Sequence, residues 1–283
     1  MIIAVLSGKG GTGKTTVSTN LAYVLRKNGF TTKLIDLDAE EPNAHLFFDV
    51  DFSEKADVDV YIPKVDNAKC THCGDCAKAC QFSAIVVSKQ SVIVFAHLCH
   101  ACGACLIACK YNAIQETPKN IGVISIGKTK DDAIDFVKSE MNIGEPSPVR
   151  VIRQAKKYIE KDKINILDCP PGVSCPTVEA IQMADFCVLV TEPTPFGLHD
   201  LKLAVELTKQ FGLKIGVVIN RYEANFLELE TYLEENQIPV LLKIPYDKKI
   251  AQSYSKGELF SKTIVEYENA FLGLYNKIME ITK

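Results

Sequence analysis

Ser7-Gly8-Lys9-Gly10-Gly11-Thr12-Gly13-Lys14-Thr15-Thr16 lies between an apolar run, Ile2-Ile3-Ala4-Val5-Leu6, and a helix-length amphipathic segment from Thr15 to Lys27. From Gly8 the stretch satisfies Gly-x4-Gly-Lys-Ser/Thr in the strand-then-helix setting that a phosphate-binding loop requires. The glycines let backbone N–H groups turn inward toward phosphate oxygens, and the positive end of the following helix favours the anion. Gly8, Lys9, Gly10, Gly11, Thr12, Gly13, Lys14, Thr15 and Thr16 are therefore the expected cradle for ATP. Lys14 is expected to reach the β- and γ-phosphates and Thr15 to ligate Mg²⁺.

Outward from this loop, short apolar runs recur at Ile2 to Leu6, Lys33 to Leu37, Ile164 to Leu167, Phe186 to Val190 and Lys214 to Ile219. Such runs read as strands buried on both faces. Helix-length amphipathic segments lie between most of them, at Thr15 to Lys27, Val149 to Lys161, Leu198 to Gln210 and Asn225 to Glu235. The alternation predicts an α/β fold with a mainly parallel sheet flanked by helices and right-handed crossovers.

Lys9 adds a second lysine early in the loop. With it, Lys9 to Thr15 resembles the MinD/ParA family of P-loop ATPases, whose deviant Walker A motif reads Lys-Gly-Gly-x-Gly-Lys-Ser/Thr and which includes the nitrogenase iron protein. The resemblance implies an ATP-sandwich homodimer, with Lys9 reaching the partner's nucleotide. It also implies roles further on. Asp36 and Asp38, at the end of a strand in Leu34-Ile35-Asp36-Leu37-Asp38, resemble switch I, with Asp38 positioning the attacking water or acting as base and Asp36 supporting Mg²⁺. Asp168-Cys169-Pro170-Pro171-Gly172 resembles Walker B and switch II, with Asp168 holding Mg²⁺ through water and Gly172 approaching the γ-phosphate. Asn220 and Arg221 occupy the family's adenine-contacting position, and Pro245-Tyr246-Asp247 is placed like a second base-contacting loop. Catalysis would then rest on Lys9, Lys14 and Asp38.

Eight of the eleven cysteines fall between Cys70 and Cys109. They form two runs of one spacing, Cys70-x2-Cys73-x2-Cys76-x3-Cys80 and Cys99-x2-Cys102-x2-Cys105-x3-Cys109. Bacterial two-cluster ferredoxins use this spacing, and the fourth cysteine of each run ligates the other cluster. The expected ligand sets for two 4Fe-4S clusters are therefore Cys70, Cys73, Cys76 and Cys109, and Cys99, Cys102, Cys105 and Cys80. Paired Cys-x2-Cys motifs also make zinc sites, but two identical four-cysteine runs fit cubanes better. The proline usual after the fourth cysteine is Gln81 in one run and Lys110 in the other. Residues 59–118 read as an inserted ferredoxin-like α+β domain, splitting the ATPase domain into 1–58 and 119–283.

Of the other cysteines, Cys187 reads as core packing. Cys169 and Cys175 flank the switch II turn, near where the nitrogenase iron protein binds a bridging cluster, but without a second ligand they read as plain thiols. His97 and His100 bracket Cys99 without being needed as ligands. Phe271, Leu274, Tyr275, Ile278 and Ile281 give the segment Tyr267 to Lys283 one apolar face, expected to pack on the ATPase core.

The 283 residues are 47% hydrophobic and 24% charged, enough for a large core. A formal net charge of −3 gives no field for nucleic acid or anionic membranes. No apolar stretch reaches the roughly 20 residues that span a bilayer, and the opening run reads as a buried strand. The protein is expected in the cytoplasm, without nucleic-acid or membrane partners. The functions considered are an ATPase that gates electron transfer to a redox partner protein, a metal- or cluster-assembly ATPase, and a redox-sensing positioning ATPase of the MinD/ParA kind.

Overall fold

The computed structural model describes residues 1–224 and 226–283. In chain order the elements are β1 (Ile2–Leu6), α1 (Lys14–Lys27), β2 (Thr32–Asp36), β3 (Val50–Val65), α2 (Asp75–Ala79), β4 (Ile85–Val87), β5 (Val92–Val94), α3 (Ala104–Ala108), β6 (Ile114–Thr129), β7 (Asp135–Met141) and α4 (Val149–Ala155). They continue with β8 (Ile164–Asp168), α5 (Cys175–Ile181), β9 (Phe186–Thr191), α6 (Pro195–Gln210), β10 (Lys214–Tyr222), α7 (Leu227–Glu235), β11 (Val240–Pro245), α8 (Lys248–Ser255), α9 (Phe260–Thr263) and α10 (Val265–Thr282).

Nine strands form one sheet in the order β11-β10-β9-β1-β8-β2-β7-β6-β3. The pairs from β11 to β7 are parallel, whereas β6 and β3 add antiparallel at one edge. The expected mainly parallel α/β sheet is thus present, and its central strands are buried on both faces because helices cover both. One apolar layer holds Leu6, Ile35, Leu167 and Leu189 with α4, α5 and α6; the other holds Ile3, Val5, Leu34 and Ile166 with α1 and α10. Phe271, Leu274, Tyr275 and Ile278 of α10 are buried in the second layer, as the apolar face requires, and Ile281 is partly buried there.

Two expected helices differ in extent. The segment expected as helix from Val149 to Lys161 is α-helical only to Ala155, then tightens into a 3-10 turn over Lys156–Tyr158. Long-range bonds end it: the Lys33 ammonium donates to the Tyr158 carbonyl at 3.0 Å, and Glu160 N–H to Asn165 Oδ1 at 3.1 Å, turning the chain into β8. Asn225, the expected first residue of another helix, lies outside the described residues; α7 runs from Leu227 to Glu235.

β3 and β6 are 16 residues each and pair with one another from Val50↔Thr129 to Val65↔Ile114. β6 also pairs with β7, but only from Gly122 to Lys128. Beyond Gly122 the two strands run on as a free ribbon. The register shifts between Val58 and Asp59, leaving Ile121 as the extra residue at the point of departure. The expected boundary 58/59 falls at this shift, and 118/119 falls within the ribbon.

The ribbon carries the cysteine runs. Here the backbone repeats at a spacing of 29 residues, the interval from Cys70 to Cys99. His72, Gly74 and Ser83 have φ of 57°, 82° and 52°; Ala101, Gly103 and Asn112 have 50°, 76° and 49°. α2 corresponds to α3, and the β4–β5 pair Ile85↔Val94 corresponds to Ile114↔Val65 of the ribbon. The ribbon tip is thus one of two equivalent hairpins in the cysteine-bearing unit.

Candidate functional site

The P-loop lies between β1 and α1 with Gly11 and Gly13 at φ of 79° and 97°, a left-handed backbone that side chains resist. Gly8 is required for a second reason: a Cβ there would run into the carbonyl of Asp200 in α6. Asn220, at the end of β10, donates from Nδ2 to the Thr12 carbonyl at 2.8 Å, pinning the loop from far along the chain.

Lys14 is 8% exposed and sits 3.6 Å from Asp38 Oδ2. Burial pulls its pKa down, but Asp168 and Asp38 outweigh this and leave it raised. Burial raises Asp38 to about 6 against the opposing pull of Lys14, with Asp168 and Glu41 adding to the rise. Thr15 donates its hydroxyl to Asp168 Oδ2 at 2.7 Å, while Asp168 Oδ1 and the Thr12 hydroxyl are buried with no partner among the described residues. Burial pushes Asp168 up, against Lys14 and the Thr15 hydroxyl. A hydroxyl and an unsatisfied carboxylate oxygen on one side of the loop are the hard oxygen donors that Mg²⁺ takes, so the residues fit the metal.

Asp36 has a different place. It is fully buried, accepts from Asp38 N at 3.1 Å and from Ala44 N at 3.0 Å, and is raised by burial and by Asp168. Its carboxylate organises the loop that presents Asp38.

A cleft with about 1240 Å³ of empty space, part of it open to solvent, is lined by Gly10, Gly11, Gly13, Lys14, Thr15, Thr16, Asp38, Asn220, Arg221, Pro245 and Asp247. These were expected at the nucleotide. Tyr246, Ile250, Ala251 and Tyr254 line it too; the last three lie on α8, whose sequence carries no recognisable motif. Gly8, Lys9, Thr12, Asp36, Asp168 and Gly172 lie outside this lining. Lys9 accepts from the Ser7 hydroxyl at 2.6 Å, and Gly172, with φ 85°, donates its N–H to the Ser7 carbonyl at 2.9 Å. Arg221, with φ 51°, is held by Glu192 at 2.8 Å.

The ribbon ends in two further cavities. Cys70, Cys73, Cys76 and Cys109 line one, with about 370 Å³ of empty space, part of it open. Cys80, Cys99, Cys102 and Cys105 line the other, with about 390 Å³. Each draws three cysteines from one run and the fourth from the other. Backbone N–H groups already point at the sulfurs: Ala84 at Cys80 Sγ and Ala113 at Cys109 Sγ, both 3.3 Å, and Ala101 at Cys99 Sγ, 3.4 Å. Four thiols around a cavity, with amides donating to sulfur, fit a 4Fe-4S group. Among the described residues, no three His, Cys, Asp or Glu side chains gather to share a single metal ion. His100 stacks on Phe82 at 3.8 Å, and His97 meets Phe95 edge-on at 6.0 Å. Cys169 and Cys187 are buried, their thiols pushed up by burial, whereas Cys175 is exposed at the start of α5. No described helix is long and apolar enough to cross a membrane.

Residues 3–260 match the model of the CobQ/CobB/MinD/ParA nucleotide binding domain. An uncharacterized protein of Methanocaldococcus jannaschii is 34% identical over 268 residues, covering 93% of this chain and 92% of its own. The Nubp2 homolog of Drosophila melanogaster, a cytosolic Fe-S cluster assembly factor, is 25% identical over 230 residues, covering 77% of this chain and 67% of its own. Among solved structures, septum site-determining MinD of Pyrococcus horikoshii, complexed with Mg-ADP, superposes with a TM-score of 0.60 at 23% identity, covering 100% of this chain and 98% of that one.

Proposed function

The chain belongs to the CobQ/CobB/MinD/ParA nucleotide-binding domain family, and from that premise we propose that it is an ATPase whose inserted ferredoxin-like domain, residues 59–118, holds two 4Fe-4S clusters. ATP-dependent dimerisation would control electron transfer through them to a redox partner protein. The observation that carries this reading is the pair of cavities, each lined by four cysteines, borne on a ribbon of the same sheet that holds the P-loop.

In this reading Lys14 would swing from Asp38 to the β- and γ-phosphates, and Thr15 and Asp168 would hold Mg²⁺. Release of Lys14 leaves Asp38 free to orient the attacking water. The loop segment Lys9 to Thr15 acts as a deviant Walker A motif, with Lys9 directed to the nucleotide of a second copy. Gly172 exchanges its bond to Ser7 for the γ-phosphate, which makes the switch II turn sensitive to hydrolysis. Asn220, Arg221, Pro245 and Asp247 face the base. The clusters supply one-electron storage; the chain's own thiols and amides hold them and set their surroundings.

The test is anaerobic purification with iron and sulfide analysis, followed by EPR with and without a slowly hydrolysed ATP analogue. About eight iron and eight sulfide per chain, with a spectrum that changes on nucleotide binding, is the expected result. Zinc in place of iron sinks the cluster assignment. Lys9→Ala should retain nucleotide binding and lose ATP-dependent dimerisation in light scattering; a variant that still dimerises with ATP removes the sandwich.

The Drosophila assembly factor among the relatives favours a second reading, a cluster carrier. The two part on one measurement: clusters retained when an apo-acceptor is added support electron transfer, and clusters passed to the acceptor support assembly.

A further inference from the structure

We infer that Arg150 is a positioning residue through which the nucleotide cleft acts on the second cysteine cavity, that of Cys80, Cys99, Cys102 and Cys105, and not on the first. The inference rests on the cluster reading above and adds to it a route and an asymmetry.

The route is a series of bonds between elements distant in sequence. At its start, the Gly172 N–H donates to the Ser7 carbonyl at the head of the P-loop. Thr177 in α5 donates its hydroxyl to the carbonyls of Pro170 and Pro171, at 3.3 and 3.4 Å, so α5 is tied to the switch II turn. Two residues on, Glu179 is held by two cations, Arg153 of α4 at 2.7 Å and Lys156 of the 3-10 turn that continues it at 2.9 Å. Glu179 and Lys156 are both buried, so the two helices cannot slide past one another without exposing or unpairing charge. At the other end of α4, Arg150 donates from a guanidinium nitrogen to the Ala101 carbonyl at 3.1 Å. The Ala101 N–H in turn donates to Cys99 Sγ. The peptide that Arg150 holds by its oxygen therefore neighbours the one whose N–H touches a ligand sulfur, and Ala101 is fixed in a left-handed backbone at φ 50°.

The asymmetry follows from the internal repeat. His72 is the counterpart of Ala101 in the first run, and among the described residues no side chain of the ATPase body bonds to the loop from Cys70 to Cys76. A gap of about 650 Å³, part of it open, separates the second run from the head of α4 beside the Arg150 bond, lined by Val60, Ile121, Ser147 and Val149. Ala101 also packs against the apolar layer of Val60 and Ile121, so the junction combines that packing with the Arg150 bond, with Glu145 nearby already taken by Lys119 at 2.8 Å. A shift of α4, which carries the buried Val151 and Ile152, changes the Arg150 bond together with the apolar layer beneath it.

A hydrogen bond to a ligand sulfur stabilises the more negative, reduced state of a cluster, so its strength sets the potential. An equilibrium is moved only by as much as the ligand's contacts differ between states, and by linkage the factor by which ATP moves the reduction equilibrium is the factor separating its affinities for oxidised and reduced protein.

The full-length, cluster-loaded protein is titrated by EPR with and without a slowly hydrolysed ATP analogue, as wild type, Arg150→Met and Arg150→Lys. Hydrogen exchange is followed in peptides covering 97–103 and 68–74. The expected result is one midpoint potential of the two shifting with nucleotide by about tenfold in the equilibrium, about 59 mV for one electron, with exchange changing in 97–103 and not in 68–74. Arg150→Met should abolish both effects at unchanged iron content, and Arg150→Lys should restore part of them. A shift that survives in Arg150→Met, equal responses of both loops, or no response in the wild type overturns the inference while leaving the cluster reading intact. Absence of iron from the wild type overturns the reading itself.

Discussion

The nucleotide cleft and the cysteine-bearing unit reach their geometry by opposite means. At the cleft, Asp36 and Asp168 are fully buried, Lys14 is nearly so, and the P-loop is pinned by Asn220 from the other half of the chain. The sheet and both apolar layers hold the elements that carry these groups. Between Val65 and Ile114, by contrast, the buried apolar residues are Ala84, Ile85, Cys105 and Ala113. So small an apolar set cannot offset the conformational entropy of its own chain. The contrast teaches that the fold preorganises the cleft, whereas on the proposed cluster reading the cysteine unit would depend on what its thiols hold, since metal binding would then be folding free energy.

The largest expected effect breaks that contrast if it fails. Removing iron with a chelator under anaerobic conditions should bring amides of residues 66–113 to unfolded-chain exchange rates while β1 and β8 stay protected. Protection retained in 66–113 would show that the unit folds unaided. Next, Lys14→Ala should weaken nucleotide binding by about 4 kcal/mol, near a thousandfold in calorimetry, because it strips a buried anion of its cation. The cluster absorbance should be unchanged, and its loss would join the two regions that the comparison separates.

A third test concerns charge. Asp38 is raised to about 6, above the carboxylate's usual value near 4, so the folded chain holds its proton more tightly than the unfolded one. The stabilisation is present at low pH and is lost as pH rises from about 4 to about 6, an effect of about 3 kcal/mol. Denaturant titrations across that window should show the slope in wild type and a flatter one in Asp38→Asn; equal slopes would place the raised proton elsewhere. The smallest effects sharpen the contrast at two glycines. Gly8→Ala forces the Asp200 carbonyl aside and should cost about 1–3 kcal/mol. Gly103→Ala meets no neighbour and pays only for its positive φ, about 1 kcal/mol. Thermal melts of the two variants rank them, and the reverse order would contradict the tighter packing of the cleft.

The strands that carry the cleft were legible because burial on both faces leaves unbroken apolar runs such as Ile2 to Leu6 and Phe186 to Val190. The exchange of fourth cysteines between the runs was expected only from the likeness to bacterial two-cluster ferredoxins, since the spacing alone would equally let each run serve its own site; the cavities group the cysteines in that exchanged way. The ribbon was harder to see: β3 alternates Val58, Val60 and Ile62 with exposed residues and has charged neighbours, a weak signal beside the cysteines that follow. Asp36 was expected as a metal support because its position matches the family, and the fold adds what sequence could not show, the bonds its oxygens accept from Asp38 N and Ala44 N. The early end of the helix after Val149 and the bond from Arg150 to Ala101 depend on residues distant in sequence, which no local pattern encodes.

The free part of β6, from Ile114 to Ile121, spans about 26 Å at about 3.3 Å per residue. It leaves the sheet at the bulge that holds Ile121. Seen mechanically, that is a lever. Just beyond the bulge Asn120 is bonded to Asn142 and Lys119 to Glu145, so the lever arm proper runs from Pro118 to the tip, about 16 Å at about 3.3 Å per residue, and a turn of about 10° at its root carries the tip through about 3 Å. The ribbon thus converts a small rotation at its root into a larger change of reach at its end.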